Sequence, residues 1–262
     1  MIRSDAMRLS HAGTSDVGRK RTHNEDAYLL LPEESLFCVA DGMGGHASGE
    51  VAARVAVEEM AEFFRLTGRD EEATWPYKMD PARSADENRL LTGVKLANLR
   101  IFERAATDDR LRGMGTTMVA ASFPKSGGTV LVGHVGDSRA YLFRGGALRQ
   151  LTEDHSLLND YRKSRALTPE EIEAFPHKNV IVRALGMREA VEVDLARVEL
   201  EDGDVLLLCS DGLSGMVPDE RIAELLRAHP RDLRGAAQAL VDAANDGGGM
   251  DNVTCVLVQA TV

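Results

Sequence analysis

The stretch Leu36-Phe37-Cys38-Val39-Ala40-Asp41-Gly42-Met43-Gly44-Gly45-His46 runs from unbroken apolar residues straight into an aspartate and a glycine-rich segment. Leu36 to Ala40 reads as a strand, and Asp41 falls where that strand meets the glycines. The arrangement recurs along the chain. Leu131 to Val135 leads towards Gly136-Asp137-Ser138-Arg139, and Val205 to Cys209 leads into Ser210-Asp211-Gly212-Leu213. Asn24-Glu25-Asp26 and Asp251-Asn252 are two further acidic motifs. A single Asp-Gly pair is most simply a turn. Several carboxylates at strand ends, beside glycines that let backbone approach a ligand, suit hard oxygen-seeking cations such as Mn2+ or Mg2+. Repeated through one chain, with Arg21 and His46 alongside, the pattern points to a centre of two or more metals.

The 262 residues are many for one domain but fit one large core. A formal net charge of -11 argues against nucleic acid as a partner, which would need a basic stripe. No apolar run approaches the length of a bilayer crossing, and the N-terminus lacks the apolar centre of a signal peptide. The expectation is a soluble, cytoplasmic protein without a membrane partner. Cys38, Cys209 and Cys255 all sit inside apolar runs and form no CxxC pair, so they read as buried reduced thiols rather than zinc ligands or nucleophiles.

Residues 1–10 read as a weakly ordered lead-in. Ala27 to Leu31 and Leu36 to Ala40 are predicted strands. From Gly49 to about Arg65, Val51, Val55, Met60 and Phe63 recur at helical intervals, and a second amphipathic helix is predicted from about Ala85 to Ala106. Strands follow over Thr116 to Ser122, Thr129 to Val135, Ala140 to Phe143 and Ala147 to Gln150, the last two flanking a hairpin turn at Arg144-Gly145-Gly146. Residues 153–179 are polar and read as mostly irregular, with a short helix capped by Thr168 and opened by Pro169. Strands resume over Val191 to Leu200, Asp204 to Cys209 and Val253 to Ala260, with helices over about Asp219 to Ala228 and Arg231 to Ala244 between them. Many strands joined by turns, with helices in pairs, indicate a layered α+β domain.

These residues carry a resemblance to a known family. Ser15-Asp16-Val17-Gly18, Arg21 with Asn24-Glu25-Asp26, Val39 to His46, Gly113 with Gly115-Thr116-Thr117, Val135 to Ala140, Thr152 to Ser156, Asn179 to Gly186, Cys209 to Leu213 and Asp251-Asn252-Val253-Thr254 occur in the order seen in metal-dependent Ser/Thr protein phosphatases of the PPM family (type 2C), in their compact bacterial form. The similarity runs from about residue 13 to the end. It implies one phosphatase domain over residues 11–262: a central β-sandwich of two antiparallel sheets flanked by helix pairs (four layers, αββα), with a flap at about 153–179.

The resemblance also implies roles. Asp41 would bridge two cations, joined by the Gly42 carbonyl on one and by Asp211 and Asp251 on the other. Asp137, with Asp211, would help hold a third. Arg21 would grip the substrate phosphate and His46 would protonate the leaving oxygen. Glu25, Asp26 and Asn252 would stand behind the ligands, orienting them or their waters. The implied activity is metal-dependent hydrolysis of phosphoserine and phosphothreonine in proteins, reversing bacterial Ser/Thr kinases, by a monomer whose partners are phosphorylated proteins, such kinases among them. Competing readings are a non-catalytic phosphoprotein-binding module, which predicts a missing ligand aspartate, and a phosphatase of an anti-sigma-antagonist in a partner-switching system, which usually comes with sensor domains.

Overall fold

In the computed structural model, which describes residues 7–44, 48–70, 75–164, 167–168, 171–172, 175 and 180–261, the chain runs β1 (Arg8–Asp16), β2 (Asp26–Leu31), β3 (Leu36–Met43), α1 (Ser48–Arg69), α2 (Ala85–Thr107), β4 (Gly115–Thr116), β5 (Met118–Ser122), β6 (Thr129–Val135), β7 (Arg139–Arg144) and β8 (Ala147–Gln150). It continues through α3 (Leu157–Ser164), β9 (Asp194–Glu199), β10 (Val205–Cys209), α4 (Asp211–Ser214), α5 (Asp219–Ala228), α6 (Leu233–Asp246) and β11 (Val253–Thr261). One sheet has the order β1-β11-β10-β7-β8, the other β2-β3-β5-β6-β9 with the short β4 added on β3. The strand pairings are antiparallel.

The two-residue period of a strand explains the layering, because alternate side chains leave opposite faces. On β3, Phe37 and Val39 point into the space between the sheets, while Leu36, Cys38 and Ala40 pack under α1 and α2. On β10, Leu206 and Leu208 face the other sheet, while Val205, Leu207 and Cys209 pack under α5 and α6. Central strands are thus covered on both faces, and their sequences read as continuous apolar runs. Three cores result: helix on sheet, sheet on sheet, and sheet on helix. The α+β sandwich with helices on its outer faces is therefore the one expected, and all three cysteines are buried free thiols within it.

Three local expectations change. β1 begins at Arg8, inside the expected lead-in, and pairs along its whole length with β11 from Arg8↔Thr261 to Asp16↔Val253. Its sequence, RLSHAGTSD, has little β-branched or aromatic character, so only that distant partner makes it a strand. The stretch expected to be irregular after residue 153 contains α3, and the strand expected over Val191 to Leu200 is shortened to Asp194–Glu199. The Thr168 cap is present: its hydroxyl accepts from the Glu171 N–H, and the Glu171 carboxylate accepts from the Thr168 N–H. Pro169 lies outside the described residues.

Leu208 is fully buried between the sheets. Leu208→Ala should cost about 2–5 kcal/mol in denaturant unfolding, through lost transfer energy and a residual cavity. Leu66→Ala, on the outer face of α1 with Leu66 55% exposed, should stay within about 0.5 kcal/mol of the parent.

Candidate active site

The strand ends deliver the acidic residues to one end of the sandwich. Asp26 opens β2 and is the register partner of Asp41 near the end of β3. Asp137 follows β6, Asp211 follows β10, and Asp251 precedes β11. Two of these strands belong to one sheet and three to the other, so the cluster exists only because the sheets face each other.

Asp41 is fixed through its backbone. Its N–H donates to Thr117 Oγ1 at 3.0 Å, and its carbonyl accepts from the Thr117 N–H and from Thr116 Oγ1, each at 2.8 Å. Thr117 Oγ1 in turn lies 2.6 Å from Ser138 Oγ, tying the Asp41 strand to the turn that bears Asp137. Gly42 is required by space: a Cβ there would stand 2.1 Å from the Gly49 carbonyl oxygen and 2.6 Å from that of Glu25. The glycine lets β3 run beneath the first turn of α1. Gly136 has φ +107°, a left-handed conformation suited to glycine, and so turns Asp137 inward after β6.

On the opposite sheet, Ser210 Oγ donates to Asp26 Oδ2 at 2.8 Å and accepts from the Thr254 N–H at 3.0 Å. Thr254 Oγ1 lies 2.6 Å from Ser15 Oγ, which accepts from Asn24 Nδ2 at 2.7 Å. Asn252 staples the segment between β1 and β2. Its Oδ1 accepts from the Glu25 N–H at 2.8 Å, and its Nδ2 donates to the carbonyls of Val17 and His23, each at 2.9 Å. On that segment Arg21, half exposed, donates from Nη2 to Asp251 Oδ2 at 2.7 Å. Glu25 lies against Gly49 in the first turn of α1. His46 lies outside the described residues.

The charges in this cluster oppose one another. Burial raises the Asp41 carboxyl well above the usual range, and Asp26, Asp211, Asp137 and Asp251 add to the effect. Burial likewise lifts Asp26 to about 7 despite hydrogen bonds from Thr254 and Ser210, with Asp211 and Asp251 contributing. Burial, then Asp211 and Asp154, takes Asp137 to about 7. Asp211 is raised by burial and by Asp251. Arg139 relieves Asp137 and Asp211 only in part, because its guanidinium is hydrogen-bonded to Asp154 and Tyr141. The buried Oδ1 atoms of Asp26 and Asp137 have no hydrogen-bond partner. Crowded, under-bonded, all-oxygen donors fit hard divalent cations, which remove the repulsion that otherwise protonates the carboxylates. A cavity of about 380 Å3 opens onto them, lined among others by Asp137, Asp154, Ser156, Asp211 and Asp251.

His155 stands beside this centre and serves as a clasp. Its Nδ1 accepts from the Gly136 N–H at 3.0 Å, and its backbone N–H donates to the Gly136 carbonyl at 2.9 Å. The ring proton is therefore on Nε2, which faces Asp194 Oδ2 at 3.4 Å. Burial, with His134 and Arg183, lowers its pKa to about 4 and keeps the ring neutral. His134, His155 and Asp194 are close enough to hold an ion among themselves, but the His155 nitrogens are already engaged and Arg183 occupies the space beside Asp194.

The structure thus brings Asp41, Gly42, Asp211, Asp251, Asp137, Glu25, Asp26, Arg21 and Asn252 to one end of the sandwich. It adds Thr117, Ser138, Ser210 and Thr254, which hold backbone and carboxylates in place. Ser138, Ser210 and Thr254 sit within or beside the acidic motifs and Thr117 in the Gly115-Thr116-Thr117 stretch, but no spacing distinguishes a bridging serine or threonine from a surface one.

A two-sheet sandwich with a carboxylate-rich centre between its strand ends defines a class of metal-binding hydrolase folds, and comparison with known proteins places the chain within it. The model for the protein phosphatase 2C family matches residues 12–246, and the chain belongs to that family. It is 38% identical over 252 residues to the serine/threonine phosphatase stp of Listeria monocytogenes, covering 94% of this chain and 93% of that one. It is 36% identical over 248 residues to the protein phosphatase PhpP of Streptococcus pneumoniae, covering 94% and 95%. The crystal structure of the Mycobacterium tuberculosis serine/threonine phosphatase PstP/Ppp superposes with a TM-score of 0.83 at 36% identity, covering 97% of this chain and 99% of that one. A structure of the PstP catalytic domain in complex with two manganese ions superposes with a TM-score of 0.80 at 36% identity, covering 98% and 100%.

Asn252→Ala should lower unfolding stability by about 2–3 kcal/mol, the scale for stranding a buried polar group. The freed 17–25 segment should also displace Arg21, so KM for a phosphopeptide should rise. Denaturant titration and steady-state kinetics on the same preparation check both.

Proposed function

We propose that this chain is a metal-dependent protein phosphatase that hydrolyses phosphoserine and phosphothreonine. The observation that carries the reading is the convergence of Asp41, Asp137, Asp211 and Asp251 with the unpartnered Asp26 oxygen at one end of the sandwich, with Arg21 at the rim. Every aspartate expected as a ligand is present, which speaks against the non-catalytic module.

In this reading Asp41, the Gly42 carbonyl, Asp211 and Asp251 would hold two cations, and Asp137 with Asp211 would hold a third. Bound there, Mn2+ or Mg2+ supplies charge neutralisation for the phosphoryl oxygens and acidifies a water for attack. The chain's residues do the rest. The Thr116 and Thr117 bonds hold Asp41 rigid. Glu25, Asp26 and Asn252 orient the ligands from behind. Arg21 keeps further N–H groups after its bond to Asp251 and uses them on the phosphoryl oxygens, which a planar guanidinium can grip in pairs. Burial works against the Arg21 cation, but Asp251, Glu25 and Asp41 outweigh it and hold the charge firmly. His46 hands a proton to the departing serine or threonine oxygen, a task that suits an imidazole because the unperturbed group titrates at about 6.5. The substrates are phosphorylated proteins, Ser/Thr kinases among them, met in the cytoplasm by a monomeric enzyme.

The deciding assay is release of phosphate from phosphoserine, phosphothreonine and phosphotyrosine peptides with Mn2+, with Mg2+ and with EDTA. Hydrolysis of the first two that EDTA abolishes and Mn2+ restores supports the reading; full activity in chelator sinks it. Asp41→Ala and Asp251→Ala should each lower turnover by roughly 10²–10³-fold, the scale of losing charge stabilisation in a transition state. Asp137→Ala should leave two tight sites in calorimetric metal titration while changing the metal concentration needed for turnover.

Arg21→Ala should mainly raise KM, since it removes a contact already made by bound substrate. His46→Gln should mainly lower kcat, by roughly 10²-fold or more on phosphoserine peptides and far less on p-nitrophenyl phosphate, whose phenolate leaves without a proton. Equal losses on both substrates would assign His46 a positioning role instead.

A further inference from the structure

A second cavity, of about 350 Å3, is lined by Met43, Ile181, Val182, Met187 and Val191 together with Arg183 and Arg188. It adjoins the carboxylate centre through shared backbone. Met43 is two residues beyond Asp41 on β3 and pairs with Gly115. Met187 packs over that glycine, its sulfur 3.3 Å from where a Cβ on Gly115 would stand. Leu185 and Thr116 exchange backbone hydrogen bonds of 2.8 and 3.2 Å, which fasten the cavity wall to the segment that grips Asp41. At the flap base Ile181, on this cavity, is bridged to Ser156, on the carboxylate cavity. The two cavities therefore flank one paired segment.

The wall of this cavity is unusual for surface. Val182 is 48% exposed and Met187 56%, with Val180 beside them at 43%, so apolar side chains cluster in solvent next to the reacting centre. The two arginines differ. Arg183 is tied to Asp194 and Glu192. Arg188 has no carboxylate within ion-pair distance among the described residues, although the chain carries a net charge of -11. Its backbone is pinned, because Asn98 Nδ2 donates to the carbonyls of Arg188 and Glu189.

We infer that this cavity is a substrate subsite, which takes an aliphatic side chain of the polypeptide flanking the phosphorylated residue and sets an adjacent acidic side chain against Arg188. The inference rests on the phosphoprotein reading above. Continuity with the carboxylate centre selects the occupant: a chain whose phosphate lies among the aspartates must run out across the flap base. An apolar side chain there covers Val182 and Met187, and an acidic neighbour meets an unpaired guanidinium. Small phosphate esters do not reach the cavity, so it discriminates between proteins without taking part in the chemistry.

The test is a set of phosphothreonine peptides in which a Leu-Glu pair is moved through the positions on each side of the phosphothreonine in a Gly-Ser background. The parent should favour at least one register by roughly tenfold in kcat/KM, the scale set by one apolar side chain in a pocket. Val182→Ser and Met187→Ser should flatten that preference to within about twofold while p-nitrophenyl phosphate turnover is unchanged, showing an intact centre. Arg188→Glu should remove the advantage of the glutamate and keep that of the leucine. Equal hydrolysis of every register, or a preference that survives all three substitutions, overturns the subsite and leaves the phosphatase reading standing. Failure to hydrolyse any peptide overturns both. Concentration-dependent self-association of the parent, lost in Met187→Ser, would give the patch to a second copy and overturn the inference.

Discussion

Apolar packing between the two sheets is the constraint from which the rest follows. Phe37, Val39, Val119, Val132, Leu206, Leu208 and Val256 interlock there with almost no exposure. That contact fixes the sheets face to face, and in doing so it brings the ends of β3, β6 and β10 and the starts of β2 and β11 together. Each end carries an aspartate. Like charges are thereby buried in proximity that they would avoid in a freely moving chain, and the Asp26, Asp41, Asp137 and Asp211 carboxyls are pushed above their ordinary range, first by burial and then by one another. Apolar burial is large and non-directional, so it can tolerate a local electrostatic cost. A divalent cation removes the cost, which couples metal affinity to the fold itself.

Apolar packing alone does not aim carboxylates. Aim comes from polar links that cross between sheets at the same end. Thr117 and Ser138 join the Asp41 strand to the Asp137 turn, and Ser210 joins Asp26 to Thr254. Asn252 satisfies all its side-chain hydrogen-bonding atoms on the 17–25 segment and so positions both Glu25 and Arg21. Each link is short in space, and together they leave one buried carboxylate oxygen each on Asp26 and Asp137 without a hydrogen-bond partner. Rigid backbone with under-bonded oxygens is the condition for a preorganised ion site.

The flap base adds a second level. His155 fastens Gly136, and its carbonyl accepts from the Val182 N–H, so the turn bearing Asp137 and the wall of the neighbouring cavity share one anchor. Asp194 and Arg183 complete the clasp. The chemical centre and the surface on which a protein substrate would rest are therefore mechanically connected. α3 rises from this base with Asp160, Arg162 and Lys163 exposed and no residue of its own buried.

Much was decided by sequence alone. Apolar runs of strand length ending in Asp-Gly, and apolar residues at three- and four-residue intervals over α1 and α2, are local patterns that translate directly into elements and into candidate ligands. The ordered motifs then implied the sandwich and its metal centre. Tertiary structure decided what no local pattern encodes. β1 is a strand because β11 lies beside it, not because of its own residues. Which face of β3 or β10 meets helices and which meets the other sheet is invisible in a run that is apolar throughout. Arg21 meets Asp251 across 230 positions, Glu25 meets Asn252 across 227, and Ser15 meets Thr254 across 239. Periodicity reports only what neighbours along the chain do. The partners that aim the carboxylates, and the cavity beside them, are set by which distant segments the packing of the two sheets brings into contact.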